Sequence, residues 1–162
     1  MRVFDASSIV HAWDNYPREL IVFETLWEEI GTLVQAGEIS FSQVALDEVG
    51  HVSPDCRQWL DDCDVVSLPV TADILDIATQ LKADLGIVND NYHPDGVDEN
   101  DLLIISTAKH HGVQLVSNEK VQNNLPGNQR KYKIPAVCQH KADVECCAFV
   151  DFLNENPDLS NG

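Results

Sequence analysis

The segment from Asp98 to Glu119 constrains the fold of this chain more than any other part of the sequence. It begins with acids, continues as an apolar run typical of a helix, stops at Gly112, and ends as a short hydrophobic strand followed by Glu119. Asp98 and Asp101 are about one helical turn apart, so they lie on the same side of the helix N-terminus. The segment therefore predicts one half of an acidic site, and the other half must come from upstream.

Short strands alternate with helices along the rest of the chain. We predict further strands over residues 2–5, 39–41, 65–68 and 144–148. Helices are predicted to start near Ser7, Leu20, Ser42, Ser53, Thr71, Lys133 and Phe149. This alternation predicts a three-layer α/β/α domain with a mostly parallel sheet. We expect one domain over residues 1–155 and a flexible tail over residues 156–162.

The composition narrows the class of protein. Hydrophobic residues make up 44% of the 162 residues and charged residues 23%, which is typical of an ordinary globular domain. The sequence has no apolar run long enough to span a membrane and no signal-peptide pattern at its start, so we expect a cytoplasmic protein without membrane association. The five cysteines form no C-x-x-C pair, and we interpret them as small buried residues instead of a zinc site.

Four acids from separate parts of the chain are candidates for one site: Asp5, Glu48, Asp101 and Glu119. An α/β sheet brings the carboxyl ends of its strands and the following helix N-termini to one edge, where most of these acids should meet. Clustered carboxylates repel one another unless a cation neutralises them, so Mg²⁺ or Mn²⁺ is the expected ligand. Asp47 is an alternative to Glu48 as the acid from this part of the chain. Such a cation supports the hydrolysis of phosphodiester bonds.

The net charge of −17 argues against a general nucleic-acid-binding protein, because nonspecific affinity for phosphates comes largely from Lys and Arg. Five of the ten basic residues nevertheless lie within residues 120–141, a stretch without Asp or Glu that we call the basic segment. We predict that four of them bind phosphate beside the acids: Lys120, Arg130, Lys131 and Lys133.

Three parts of the sequence resemble the PIN domains, metal-dependent ribonucleases that include the VapC-type toxins of bacterial toxin–antitoxin pairs. Residues 5–10, Asp-Ala-Ser-Ser-Ile-Val, look like the PIN opening. Residues 101–119 resemble the central motif, in which an acid and an apolar helix precede a Gly, a strand and a Ser/Thr-x-Asp/Glu ending. Residues 131–138 resemble a PIN-like subgroup of uncharacterised bacterial proteins.

This resemblance implies roles for individual residues. It implies that Asp5, Asp101 and Glu119 bind the metal, with Glu48 as the acid from the middle helix. Ser7 is expected to support the first carboxylate, and Asn118 to bond a carboxylate, a water or the substrate. Asp98 is expected either to add an outer contact or to favour the helix N-terminus.

The resemblance also implies a function. We expect a metal-dependent endoribonuclease that is the toxin of a type II toxin–antitoxin pair, with RNA as substrate, an antitoxin as partner and a homodimeric state. The sequence shows no nucleophilic triad, which favours hydrolysis by metal-activated water over covalent catalysis. The alternatives are a structure-specific DNA nuclease and a catalytically degenerate PIN-like scaffold that binds proteins.

Overall fold

The computed structural model of the chain describes residues 1–156, which form five strands and eight α-helices. The strands are Arg2–Phe4 (β1), Ile39–Ser42 (β2), Val66–Leu68 (β3), Leu115–Val116 (β4) and Cys146–Cys147 (β5). The helices are Ala6–Asn15 (α1), Ile21–Gln35 (α2), Gln43–Val52 (α3), Pro54–Asp62 (α4), Ala72–Asp84 (α5), Glu99–His111 (α6), Ile134–Val137 (α7) and Phe149–Glu155 (α8). A 3₁₀ turn at Gln129–Lys131 precedes α7, and a π-helical turn at Cys138–Ala142 follows it.

The strands form one parallel sheet in the order β3-β2-β1-β4-β5. Val3 of β1 pairs with Ser40 on one side and with Leu115 on the other. The strand order reverses between β1 and β4, and a sheet of this kind has a crevice at that point, outside the carboxyl ends of its strands. The structure thus confirms the α/β fold, with helices flanking a central sheet whose strands are all parallel.

Polar caps fix the helices that surround this crevice. The Ser42 hydroxyl accepts a 3.2 Å hydrogen bond from the Ala45 N–H at the start of α3. Asp98 and Asp101 form a capping box at the start of α6, and Gly112 ends that helix with a φ of +64°. The middle of α6, from Leu102 to Ala108, is largely buried, and the helix packs against β1, β2 and α5. Its N-terminus and its acids therefore lie at the carboxyl edge of the sheet.

Aromatic rings pack the core beneath this edge. Phe4 of β1 makes edge-on ring contacts with Phe41, Phe149 and Phe152 at centroid distances of 5.8, 6.3 and 5.1 Å. All four side chains are fully or almost fully buried. Burying an aromatic or aliphatic side chain of this size stabilises a fold by roughly 1.5–3 kcal/mol, so this cluster fixes α8 against β1 and β2.

The strands predicted over residues 2–5, 39–41 and 65–68 differ from the structure by one residue each, and three other boundaries have a local explanation. The first helix begins at Ala6, not at Ser7, because the Asp5 carbonyl already accepts the Ser8 N–H at 3.2 Å. The last strand contains two of the five predicted residues, since β4 offers only two partners for pairing. Asn156, predicted to start the tail, bonds back to the Phe152 carbonyl at 2.6 Å and to Leu153. The remaining tail, residues 157–162, lies outside the described residues.

The structure also describes the lengths of the helices and the state of the cysteines. No helix within residues 1–156 is long and apolar enough to cross a membrane. All five cysteines are free thiols, of which Cys56 and Cys138 are fully buried and the other three partly buried.

Candidate functional site

The candidate site lies at the carboxyl edge of the sheet, between β1 and β4. Asp5 directly follows β1, Glu119 comes three residues after β4, and Asp101 is in the first turn of α6. Glu48 lies on α3, which follows β2. These four residues come from distant parts of the sequence, and the sheet topology brings them to one edge.

Asp5 is held by two hydroxyl groups. It is only 4% exposed, and its Oδ2 accepts hydrogen bonds from the Ser7 hydroxyl at 2.6 Å and from the Ser117 hydroxyl at 2.9 Å. It occupies the N-cap position of α1, but its side chain makes no capping hydrogen bond. A buried carboxylate that does not cap its helix is available for another role, and its Oδ1 makes no hydrogen bond among the described residues.

Asp98 and Asp101 are bonded to one another through the backbone. Oδ1 of Asp98 accepts the Asp101 N–H and Oδ2 of Asp101 accepts the Asp98 N–H, each at 2.9 Å. Burial raises the pKa of Asp101 to about 8, and the Asp98 N–H opposes this shift. The negative charges of Asp98, Glu119 and Asp5 raise that pKa further. Without a cation, Asp101 therefore holds its proton far more strongly than an exposed Asp does.

Glu119 is bound on one side by the chain that follows it. Its Oε2 accepts a 2.6 Å hydrogen bond from the Ile134 N–H, and its Oε1 lies 3.9 Å from the Lys133 ammonium nitrogen. Burial raises the pKa of Glu119, although both of these contacts lower it. The charges of Asp5 and Asp98 raise it as well, so Glu119 belongs to the same electrostatic cluster.

The structure distinguishes Glu48 from Asp47. Burial raises the pKa of Glu48, with further increases from the charges of Asp5 and Asp98, while the polar Asn100 side chain lowers it. Asp47 instead has a side chain that is 62% exposed and lies 3.9 Å from Arg57. Of the two candidates, Glu48 is the one that faces the acidic cluster.

Sequence reasoning missed two groups that position these acids. Ser117 is 2% exposed, and its hydroxyl bridges Asp5 and the Glu119 N–H, the latter at 3.2 Å. The Ile134 N–H holds the Glu119 carboxylate. The Ser-Asn-Glu ending of the central segment contained the signal for Ser117. The contact with Ile134 depends on tertiary packing.

The Asn118 side chain binds the start of α8. Its Oδ1 accepts a 2.8 Å hydrogen bond from the Phe149 N–H, so its side chain holds the start of α8. Its backbone N–H donates to the Ser7 hydroxyl at 3.1 Å. Neither of these contacts joins the Asn118 amide to a carboxylate of the site.

The basic segment lies beside the acids. Lys133 approaches Glu119, and the Gln122 side chain bonds the Lys131 carbonyl at 3.0 Å and the Lys133 N–H at 2.9 Å. The Arg130 guanidinium instead donates to the Asn91 carbonyl at 2.8 Å. The ammonium groups of Lys120 and Lys131 form no ion pair or hydrogen bond within residues 1–156, which leaves them available to an external anion.

The donor chemistry of the site fits an oxygen-preferring divalent cation. Asp5, Asp101 and Glu119 each use one carboxylate oxygen in a protein hydrogen bond. The second oxygen of each makes no hydrogen bond in the part of the chain that the structure describes. In the same residues, however, no three His, Cys, Asp or Glu side chains are arranged around one point as metal ligands. Binding a cation at this site therefore requires these side chains to move closer together.

Two solved structures share the fold across nearly the whole chain. One is VapBC2 from Rickettsia felis bound to a DNA fragment from their promoter, which is 16% identical, with a TM-score of 0.53 and coverage of 91% of this chain and 97% of that one. The other is PAE2754 from Pyrobaculum aerophilum, which is 11% identical, with a TM-score of 0.53 and coverage of 99% and 96%. At these identities the similarity shows the fold alone.

A family profile, described as a domain of unknown function (DUF4411), matches residues 3–157. No curated protein matches this sequence.

Proposed function

The chain belongs to the DUF4411 family, and we propose that it is a divalent-metal-dependent ribonuclease. The observation that carries this proposal is the convergence of Asp5, Glu48, Asp101 and Glu119 at the crevice between β1 and β4. Three of these acids have raised pKa values there, mainly because they are buried. A fold gains no stability from buried carboxylates that repel one another, which supports a role in binding a cation.

Asp5, Asp101, Glu119 and Glu48 are the residues that hold Mg²⁺ or Mn²⁺ in this proposal. The bound cation supplies an activated water and neutralises the charge that develops on the phosphate. Ser7 and Ser117 keep the Asp5 carboxylate in place, and the Ile134 N–H does the same for Glu119. These positioning groups support the carboxylates from the protein side and leave one oxygen of Asp5, Asp101 and Glu119 for the ligand.

The substrate is a polyanion, although the whole chain has a net charge of −17. Lys133 lies next to Glu119, and the basic segment continues beside it through Lys131. Local positive charge of this kind binds phosphate where the reaction takes place, while the acidic remainder of the surface weakens binding elsewhere. This distribution supports a nuclease that acts on selected sites over a general nucleic-acid-binding protein.

We assign RNA as the substrate and a toxin–antitoxin pair as the context. Both assignments rest on the PIN resemblance of residues 5–10 and 101–119 and on the similarity of the fold to VapBC2. A basic antitoxin segment is the expected partner, because a chain with this negative charge attracts it electrostatically. A cytoplasmic location and a homodimer are part of the same proposal.

Calorimetric titration with Mn²⁺, followed by an RNA-cleavage assay on the same samples, tests the proposal. We expect Asp5→Asn and Asp101→Asn to lose both Mn²⁺ binding and cleavage while remaining folded. Asp76→Asn on the exposed face of α5 is the matched control, since it removes the same charge away from the site and should behave like the wild type.

A protein-binding scaffold without catalysis is the second candidate. It is favoured by one observation, that within residues 1–156 the acids are not arranged around a single point. If the wild type cleaves no RNA, and its Mn²⁺ binding is unchanged in Asp5→Asn and Asp101→Asn, the nuclease proposal is wrong and the scaffold is supported.

A further inference from the structure

A groove of about 520 Å³ opens directly beside the acids, between α1 and α3. It reaches the acidic site at Ser7, which bonds Asp5, and at Glu48. Its walls include the apolar side chains of Val10 and Val52. Val52 is 70% exposed, so its side chain is accessible to a ligand in the groove. The groove is thus an apolar surface that continues from the candidate site.

The polar groups that line the groove include no Lys or Arg side chain. They include two imidazoles, His11 and His51, and the amide of Asn15. The Asn15 side-chain amide donates a 2.8 Å hydrogen bond to the His11 carbonyl. The Oδ1 atom of Asn15 makes no hydrogen bond within the described residues, so it is available as an acceptor. None of the lining residues is Lys or Arg, and Asp14 and Glu48 add negative charge. A phosphate is therefore disfavoured in the groove.

A nucleobase matches each of these properties. It is flat and uncharged, and it stacks on imidazole and apolar surfaces. Its edge carries amino groups, which can donate hydrogen bonds to Asn15 Oδ1 and to the Asp14 carboxylate. The volume is several times that of one base, so an unpaired base with part of its sugar fits without rearrangement. A paired base in a duplex does not have a free face or edge to offer.

We propose that the groove between α1 and α3 is a nucleobase subsite that takes one unpaired base of an RNA strand whose neighbouring phosphate lies at the acids. This inference rests on the proposed nuclease function. The groove meets the acidic site at Ser7 and Glu48, whereas the basic segment meets it at Glu119. The groove thus contacts the base and the basic segment contacts the backbone, from different sides of the acids. The substrate is therefore single-stranded at the cleavage position.

Substitution Val52→Trp tests the subsite because it fills the groove from an exposed position where a larger side chain is tolerated. Leu75→Trp is the matched control, since Leu75 is 51% exposed on α5 and lines none of the groove. Circular dichroism establishes that both variants are folded. A second variant, His11→Ala, removes a stacking surface without adding bulk.

Two measurements are made on each protein. The first is kcat/KM on single-stranded RNA and on a set of the same RNAs, each of which has one abasic nucleotide at a different position next to the cleavage site. The second is stopped-flow fluorescence of 2-aminopurine at those positions, which is quenched when the base stacks. We expect Val52→Trp to lower kcat/KM about tenfold or more and to abolish the quenching, with a smaller effect for His11→Ala. On RNA that is abasic at the critical position, the wild type and Val52→Trp should be equally slow.

The outcomes separate the subsite from the nuclease activity. If the wild type cleaves RNA, but neither an abasic position nor Val52→Trp lowers kcat/KM, the subsite is wrong and the nuclease stands. If quenching depends on Val52 but the wild type cleaves nothing, the subsite stands and the nuclease proposal is wrong. If neither cleavage nor quenching is observed, both are wrong.

Discussion

The Ile134 N–H donates a 2.6 Å hydrogen bond to Oε2 of Glu119, and this bond joins the loop after β4 to the first residue of α7. Lys133, the residue before Ile134, lies 3.9 Å from the other oxygen of the same carboxylate. Glu119 therefore connects the acidic site to the basic segment. The Glu119 side chain is long enough to reach the Ile134 N–H and the Lys133 ammonium group. It is also close enough to Asp5 and Asp98 for their charges to raise its pKa.

Shortening this side chain should break the link. In Glu119→Asp the carboxylate is drawn back by one methylene and loses the Ile134 N–H. We expect the free energy of unfolding to fall by roughly 1–3 kcal/mol, the range for a hydrogen bond to a charged group. Urea unfolding measures it, with Glu19→Asp in an exposed turn as the control. Equal stability of the wild type and Glu119→Asp would show that the bond contributes nothing.

Stability should fall with rising pH in the absence of metal. Burial raises the pKa of Asp101 from an ordinary value of 3.8 to about 8, so between these values the unfolded chain loses a proton that the folded chain keeps. Because the folded state binds more protons in this range, the free energy of unfolding decreases as pH increases. Below the lower pKa both states are protonated, so the pH dependence from Asp101 vanishes and stability is at its highest with respect to this group.

Urea unfolding at pH 5, 6, 7 and 8 measures this slope. Asp101→Asn should flatten it, since Asn retains an acceptor for the Asp98 N–H but does not ionise. Added Mg²⁺ should restore stability to the wild type at pH 8 and not to Asp101→Asn. An identical slope in the two proteins would contradict the assignment to Asp101.

Ser117→Ala should weaken the site more than it weakens the fold. The Ser117 hydroxyl bridges Asp5 and the Glu119 N–H, so its loss removes one of the two hydrogen bonds on Asp5 Oδ2 and one bond to the backbone of Glu119. We expect Mn²⁺ affinity to fall about tenfold or more, as is common when a group that supports a metal ligand is removed. Ser40→Ala is the control, because Ser40 is equally buried but bonds only the Gly37 carbonyl. Similar calorimetric affinities in these two variants would remove Ser117 from the site.

Local patterns in the sequence account for most of the architecture. The caps at Ser42 and Thr71 are both seen in the structure, and Gly112 ends α6 as predicted. These signals depend on residues within one turn of a helix end. These predictions therefore do not require knowledge of tertiary contacts.

The parts that could not be predicted depend on contacts between distant residues. Ser117 and Asp5 are 112 positions apart, and the hydrogen bond between them exists only because β1 and β4 are neighbours. The hydrogen bond from the Phe149 N–H to the Asn118 amide oxygen likewise depends on where α8 packs. The choice between Asp47 and Glu48 was also open, since neighbouring residues on a helix differ only in the direction they face.

Lys131 and Lys133 should supply part of the RNA affinity in a salt-dependent way. Lys133 lies at Glu119, and the Lys131 ammonium has no ion pair within the described residues, so each can meet a phosphate. We expect Lys131→Gln and Lys133→Gln to weaken RNA binding, and each lost contact to reduce the slope of log affinity against log salt by about 0.7. Fluorescence anisotropy from 50 to 200 mM salt measures this, with Arg57→Gln on α4 as a control that removes the same charge elsewhere. If all three variants showed the same slope as the wild type, phosphate binding would not involve the basic segment. The acids would then lie beside a surface that RNA does not contact.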